Sequence, residues 1–323
     1  MKRVVVVGSG VAGTAAALAA ARGGTRVHVV AGAPGASSLA GGALDWDDWQ
    51  TKPPRRSLAV DAELAFSALD FGSLPDAGVL VATTAGIVRP AAGADHALLD
   101  LDRTGRGAIL VPRCDHPTWD APALARAWGD GALASARALS FVALDVPLAR
   151  YRDERLVGDV EIAARHDDDA RLDWLAERLR EVLARNPGFV GVVLPPWLGV
   201  RRSRAEALSQ KVGIRCGEAL VGLASASGAR FEHARDLALR GAQVEVVAGW
   251  AKSILSASGM WRVVLEEGEP LEADAVVIAA GGLVGGGLVY SPGATANAAE
   301  LPPDARPTLR VGVAAPVVLG SRG

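Results

Sequence analysis

An α/β fold, with parallel strands covered by helices, is what these 323 residues predict. Three observations carry that reading. A β-branched run at the start passes into a glycine turn and an Ala-rich helix. The middle of the chain holds a helix of clear amphipathic period. A second β-branched run, near position 277, ends again in glycines.

The first observation is the segment Lys2 to Ala31, KRVVVVGSGVAGTAAALAAARGGTRVHVVA. Val4 to Val7 suits a buried parallel strand, and Val27 to Val30 a second one. Between them Gly8, Gly10 and Gly13 stand at G-x-G-x-x-G spacing before the helix. This is a strand–turn–helix–strand unit of the Rossmann-like, FAD/NAD(P)-binding type. Gly8 permits the tight turn, Gly10 lets backbone approach a pyrophosphate, and Gly13 lets the helix pack on the strand. Gly8, Ser9, Gly10, Val11, Ala12 and Gly13 are therefore the expected phosphate cradle, facing the positive end of the helix dipole. One position departs from the pattern. The second strand usually ends in Asp or Glu, which accepts hydrogen bonds from the adenosine ribose; here it ends in Ala31, followed by Gly32.

Half the residues are hydrophobic and 22% are charged, which suits a soluble globular core. A formal net charge of −2 gives no basic footprint for nucleic acid. No apolar stretch is long enough for a membrane span, and the glycine-broken run at Val4 reads as the nucleotide unit, not as a signal peptide. A cytoplasmic location is expected. The two cysteines, Cys114 and Cys216, lie far apart, and the five histidines show no ligand spacing, so no metal site is expected. Cys114-Asp115-His116 reads as a polar loop before a helix.

After the second strand comes a loop of small residues, Gly32 to Asp45, in which Ser37, Ser38, Gly41 and Gly42 are candidates for close approach to a cofactor. Lys52-Pro-Pro-Arg-Arg56 reads as a break. Beyond it the sequence predicts a helix over Asp61 to Leu69, strands at Val79 to Thr83, at Ile109 to Val111 (ended by Pro112), at Phe141 to Leu144 and at Val190 to Leu194, and a helix over Pro122 to Leu133. The second observation is the helix Ala170 to Arg185. Leu172, Leu175, Leu179, Val182 and Leu183 share one face, Asp168 or Asp169 caps it, and Glu181 can pair with Arg185. The acidic run Asp167–Asp169 is a cap, and Arg201, Arg202 and Arg204 read as a surface patch.

The third observation lies toward the C-terminus. A helix over Ala229 to Arg240 ended by Gly241, a strand Val244 to Val247 and a hairpin around Gly268 precede Ala275 to Gly282, a buried strand running into glycines. Ala280, Gly281 and Gly282 are thus expected to return to the cofactor. The resulting organisation is a flavin-binding domain over 1–52 and 225–323, with a second α/β domain, 53–224, inserted as a cap, substrate or subunit-interface domain.

Several separated segments resemble one family, the second flavoprotein subunit of anaerobic glycerol-3-phosphate dehydrogenase, whose flavin is usually described as FMN. Gly35 to Asp45 is similar to that family's Ser/Gly-rich stretch ending in Gly-x-Leu-Asp. Val192 to Gly199 is similar to its Leu-Pro-x-x-Leu-Gly motif, and Ser225 to Arg230 to a turn that lacks the family's prolines here. Ala273 to Leu288 is similar to its Ala-Asp-x-Val-Leu-Ala-x-Gly strand. The family is generally longer, and the Gly-Asp motif that closes such flavoproteins does not follow Gly282.

The resemblance implies a bound flavin, FMN or FAD; with Ala31 at the ribose position, FMN suits the site better. It implies oxidation of sn-glycerol 3-phosphate to dihydroxyacetone phosphate, with electrons passing through flavin to quinone. The implied partners are an FAD-containing dehydrogenase subunit and an iron–sulfur subunit at the membrane, which would hold this chain peripherally at the inner membrane. No residue stands out as catalytic. Two further readings are a generic flavin- or NAD-dependent oxidoreductase acting on a small substrate, and a non-catalytic assembly subunit.

Overall fold

The computed structural model describes residues 1–45, 69, 71–223, 225–257, 259–282, 289–292, 311–314 and 318–321. The expected helix over 61–69 lies outside these residues except for Leu69. Contacts divide the chain into two compact units: Met1–Ser37 with Leu239–Gly323, and Ser38–Ala238. The changes of unit therefore fall earlier than position 52 and later than position 225. The second falls inside the helix Ala226–Gly241, because Arg230 near its start is tied to Asp95 and Glu218 of the second unit.

In the first unit a four-stranded parallel sheet runs in the order Glu245–Ala248, Arg26–Ala31, Arg3–Val7, Ala275–Ile278. Its central strand, Arg3–Val7, has Val5 and Val6 fully buried, as a β-branched run between two parallel neighbours should be. The helix Val11–Arg22 connects the two central strands, and Gly24, at φ +73°, turns the chain back. An antiparallel meander, Ala251–Ala257, Met260–Leu265 and Leu271–Ala273, packs Ile254, Val263 and Leu265 against Val5, Val7 and Val30. The expected hairpin is present, with Gly268 in its turn at φ +95°. Gly285 to Gly287 lie outside the described residues.

The second unit has its own four-stranded parallel sheet, ordered Arg215–Glu218, Phe189–Leu194, Gly107–Arg113, Leu139–Asp145. Helices cover both faces. One core gathers Trp119, Leu124 and Trp128 over Ile109 and Val111; the other gathers Leu172, Leu175 and Leu179 over Leu110, Val192 and Leu194. The strand expected to stop at Pro112 continues to Arg113. Its pairing with Phe189–Leu194 reaches only Leu110, so Pro112 has a ladder partner on one side alone, where a missing N–H is tolerated.

The helix expected over 122–133 is two helices, Ala121–Gly129 and Ala132–Ala136, separated where Gly131 is extended at ψ 137°. The long helix is Asp169–Arg185, and the Asp168 carboxylate caps it by accepting from the Arg171 N–H at 2.9 Å. Glu181 pairs with Arg178 at 2.7 Å instead of Arg185.

A buried ionic cluster lies within this unit. Arg230, 2% exposed, bonds Asp95 at 2.6 Å and Glu218 at 2.6 Å, and donates to the Gly199 carbonyl at 2.5 Å. The two carboxylates hold the guanidinium firmly protonated despite its burial.

Candidate cofactor site

The site forms where the strand Arg3–Val7 gives way to its glycine turn. The Gly8 N–H donates to the Val30 carbonyl at 2.9 Å, and the Ala279 N–H donates to the Val7 carbonyl at 2.8 Å. The turn is thereby held between the two neighbouring strands. Gly8 lies at φ +108°, and a Cβ on it would stand 2.2 Å from the Ala279 oxygen. A Cβ on Gly13 would stand 1.9 Å from the Gly8 oxygen. Both positions are closed to every residue but glycine, by conformation and contact at Gly8 and by contact alone at Gly13.

Gly10 differs. The nearest atom to a Cβ there is the Ser37 Oγ at 3.2 Å, so its open side faces space, not backbone. Gly10 is the residue before the helix Val11–Arg22 and offers no capping side chain, and the helix's first turn has no acidic residue. The Thr14 N–H makes the first bond within the helix, to the Gly10 carbonyl at 2.9 Å. Ser37 reaches in from the short helix Ala36–Leu39 that follows the second strand, and its Oγ accepts from the Val11 N–H at 3.1 Å. Among the described residues nothing accepts from the N–H groups of Ala12 and Gly13. Two free donors at the positive end of a helix dipole form a place for an anionic oxygen.

The glycine turn and Ala12 open on a cavity of about 360 Å³. Gly8, Ser9, Gly10, Val11, Ala12 and Ser37 line one end, and Ala280 and Gly281 line the side beside the turn. Gly13 lies beneath the turn, and Gly282 is exposed and not part of the lining. The remaining candidates fall in the second unit. Ser38 is buried, with its carbonyl 1.7 Å from where a Gly228 Cβ would be. A Cβ on Gly41 would meet the Val221 oxygen at 1.8 Å; one on Gly42, at φ +96°, would meet the Ser227 Oγ at 2.3 Å. Their small size serves packing inside that unit.

The lining also holds residues that the sequence alone does not single out: Gly249, Trp250, Lys252 and Glu266. The available signal was a tryptophan placed directly after a strand and a glycine.

The other candidates settle into structural roles. Burial, with Asp115 and Asp159 adding to it, pushes the Cys114 thiol up to about 12, so it stays protonated. The His116 ring meets Thr118 Oγ1 at 2.8 Å and the Val157 carbonyl at 2.9 Å, and packs on Trp197 with ring centres 4.9 Å apart. Arg204 is buried and bonds Asp169, whereas Arg201 and Arg202 are exposed. Asp167 holds their loop by accepting from the Val200 and Arg201 N–H groups at 3.3 Å. Among the described residues no group of three or more His, Cys, Asp or Glu side chains is arranged to hold a metal ion.

A parallel sheet, a glycine turn and an open helix N-terminus beside a cavity define a Rossmann-like nucleotide-binding fold. Residues 3–141 match the FAD binding domain family, and the cofactor is accordingly a flavin, FAD. Of the two flavins the sequence leaves open, that match supports FAD. The cradle fits FAD: the unpaired Ala12 N–H stands in the cavity lining, and of Gly8, Gly10 and Gly13 only Gly10 has room for a Cβ clear of backbone.

No curated protein matches the sequence. Among solved structures, an iminodiacetate oxidase from Chelativorans sp. BNC1 is 15% identical with a TM-score of 0.31, over 90% of this chain and 59% of its own. A putrescine oxidase redesigned in cofactor binding is 14% identical with a TM-score of 0.27, over 86% of this chain and 57% of its own. This chain thus spans less than two thirds of either structure. Among the described residues no helix is long and apolar enough to cross a membrane.

Proposed function

We propose that this chain is a flavin-dependent oxidoreductase subunit that works in a complex like the anaerobic glycerol-3-phosphate dehydrogenase. The observation that supports it best is the free Ala12 N–H at the positive end of the helix dipole, in the lining of a cavity of about 360 Å³ at the glycine turn. When bound, the flavin supplies the redox chemistry, taking up and releasing an electron pair. The protein binds and orients it: the Ala12 N–H holds a phosphate oxygen, and the small residues Ala280 and Gly281 let the ligand lie close to the backbone. At the glycine turn the lining is backbone, small apolar side chains and the hydroxyls of Ser9 and Ser37, a surface suited to holding a cofactor, with Lys252 and Glu266 elsewhere in the same lining.

In this reading sn-glycerol 3-phosphate is oxidised to dihydroxyacetone phosphate on an FAD-containing partner, and electrons pass to quinone through an iron–sulfur partner at the inner membrane. The second unit serves as the cap or interface domain of the assembly.

The test begins with the purified chain, reconstituted with FAD and scanned for flavin absorbance near 370 and 450 nm (roughly, for an oxidised flavin). Reduction of the bound flavin by the partner complex and glycerol 3-phosphate, but not by NADH alone, is the expected result. Reduction by NADH alone favours a generic soluble oxidoreductase. A folded protein that takes up no flavin favours an assembly role without redox chemistry.

A further inference from the structure

The strand Arg26–Ala31 ends without the carboxylate that usually holds an adenosine ribose, yet the cofactor is FAD, whose adenosine end needs an anchor. The neighbouring strand supplies a different set of groups at that place. Glu245–Ala248 pairs with Arg26–Ala31, matching Ala248 to Ala31, and the Gly249 N–H donates to the Ala31 carbonyl at 3.1 Å. The next residue, Trp250, therefore stands beside Gly32. A Cβ on Gly32 would be 2.4 Å from the Cδ2 and Cε2 atoms of the indole, so the ring lies directly on that glycine. Trp250 is nevertheless 45% exposed, and it lines the cavity that begins at the glycine turn.

Across the meander, the Glu266 N–H donates to the Trp250 carbonyl at 2.9 Å, which brings Glu266 to the same wall. Among the described lining residues Glu266 carries the one carboxylate and Lys252 the one cation. Neither side chain has an ion-pair partner among the described residues.

Resting on the flavin assignment, we propose that Trp250 and Glu266 form the adenosine anchor of this chain and so select FAD over FMN. The indole gives the adenine a stacking face, and the Glu266 carboxylate accepts from the ribose hydroxyls, doing from position 266 what Ala31 lacks the group to do. Gly32 is glycine because the indole lies on it.

The experiment measures the binding of FAD and of FMN to flavin-free full-length protein by flavin fluorescence, for the wild type and for Trp250→Leu, Gly32→Ala and Glu266→Gln. Trp250→Leu removes a half-exposed ring, and Gly32→Ala pushes that ring aside without touching the phosphate cradle. Loss of a base stack corresponds to a weakening of roughly tenfold or more. The expected result is that weakening for FAD in both variants, a smaller one for Glu266→Gln, and FMN binding unchanged throughout. ADP should quench the tryptophan fluorescence of the wild type and do so less in Trp250→Leu. If the wild type binds FAD and the Trp250 and Gly32 variants bind it within twofold as well, the adenosine anchor is overturned and the flavin assignment stands. If FMN weakens as much as FAD, the residues act on the whole pocket and the proposal fails. If the wild type takes up no FAD, both fall.

Discussion

The Ser37 Oγ accepts a hydrogen bond from the Val11 N–H at 3.1 Å, so the first donor of the cofactor helix is satisfied by a side chain from the short helix after the second strand. A helix that begins at glycine has no cap of its own, and Ser37 supplies one from a distance of twenty-six residues. Ser37→Ala should destabilise the flavin-free protein by about 1 kcal/mol, the usual worth of a cap. Urea unfolding checks it; an unchanged midpoint would show that water replaces the hydroxyl without loss.

Gly10 and Gly13 should fail in different ways. A side chain at Gly13 strikes the Gly8 oxygen, so Gly13→Ala should lower stability by about 1–3 kcal/mol or more through overpacking. Gly10→Val fills the open side of the cradle and should abolish flavin retention while the melting temperature of the flavin-free protein stays near wild type. Equal flavin content in Gly10→Val and wild type would sink the phosphate assignment.

Arg230→Met removes the cation from between Asp95 and Glu218 and leaves two buried carboxylates facing each other. The expected loss is about 3–5 kcal/mol. A variant that also carries Asp95→Asn and Glu218→Gln should recover part of it, and failure to recover any would mean that the charges are not the cause.

His166 is fully buried, and burial together with Arg171 lowers its pKa to about 4. The unfolded chain binds a proton at this position below about pH 6.5, whereas the folded chain does so only near 4. Stability from this group is therefore present at neutral pH and is lost as pH falls from about 6.5 to about 4, by up to about 3 kcal/mol. Chemical denaturation across that range, compared with His166→Phe, should show a flatter acid limb in the variant.

The glycine turn and its strands were legible in the sequence because the spacing of Gly8, Gly10 and Gly13 follows from local sterics that only glycine meets. The capped helix Asp169–Arg185 was legible for a similar reason, its apolar period and its cap both being local. Glu181 was matched to Arg185 by spacing alone, and spacing does not say which of two arginines a carboxylate turns to. Ser38, Gly41 and Gly42 were grouped with Ser37 because small residues beside a cofactor and small residues beside packed backbone look alike; the contacts with Gly228 and Val221 are long-range. Trp250 and Glu266 reach the cavity through strand pairing across the sheet and meander, and nothing within a short window of sequence joins either to Gly32.

The division of the chain also orders events in time. The second unit is one uninterrupted stretch, Ser38–Ala238, so all of it is available once that stretch has left the ribosome. The sheet under the glycine turn is not. Arg3–Val7 and Arg26–Ala31 are made first, but their outer neighbours Ala275–Ile278 and Glu245–Ala248 arrive more than two hundred residues later. Until then a pair of apolar strands waits with both edges unpaired, the state in which strands recruit wrong partners. The N-terminal turn is thus the earliest part of the site to be synthesised and among the last to become a site.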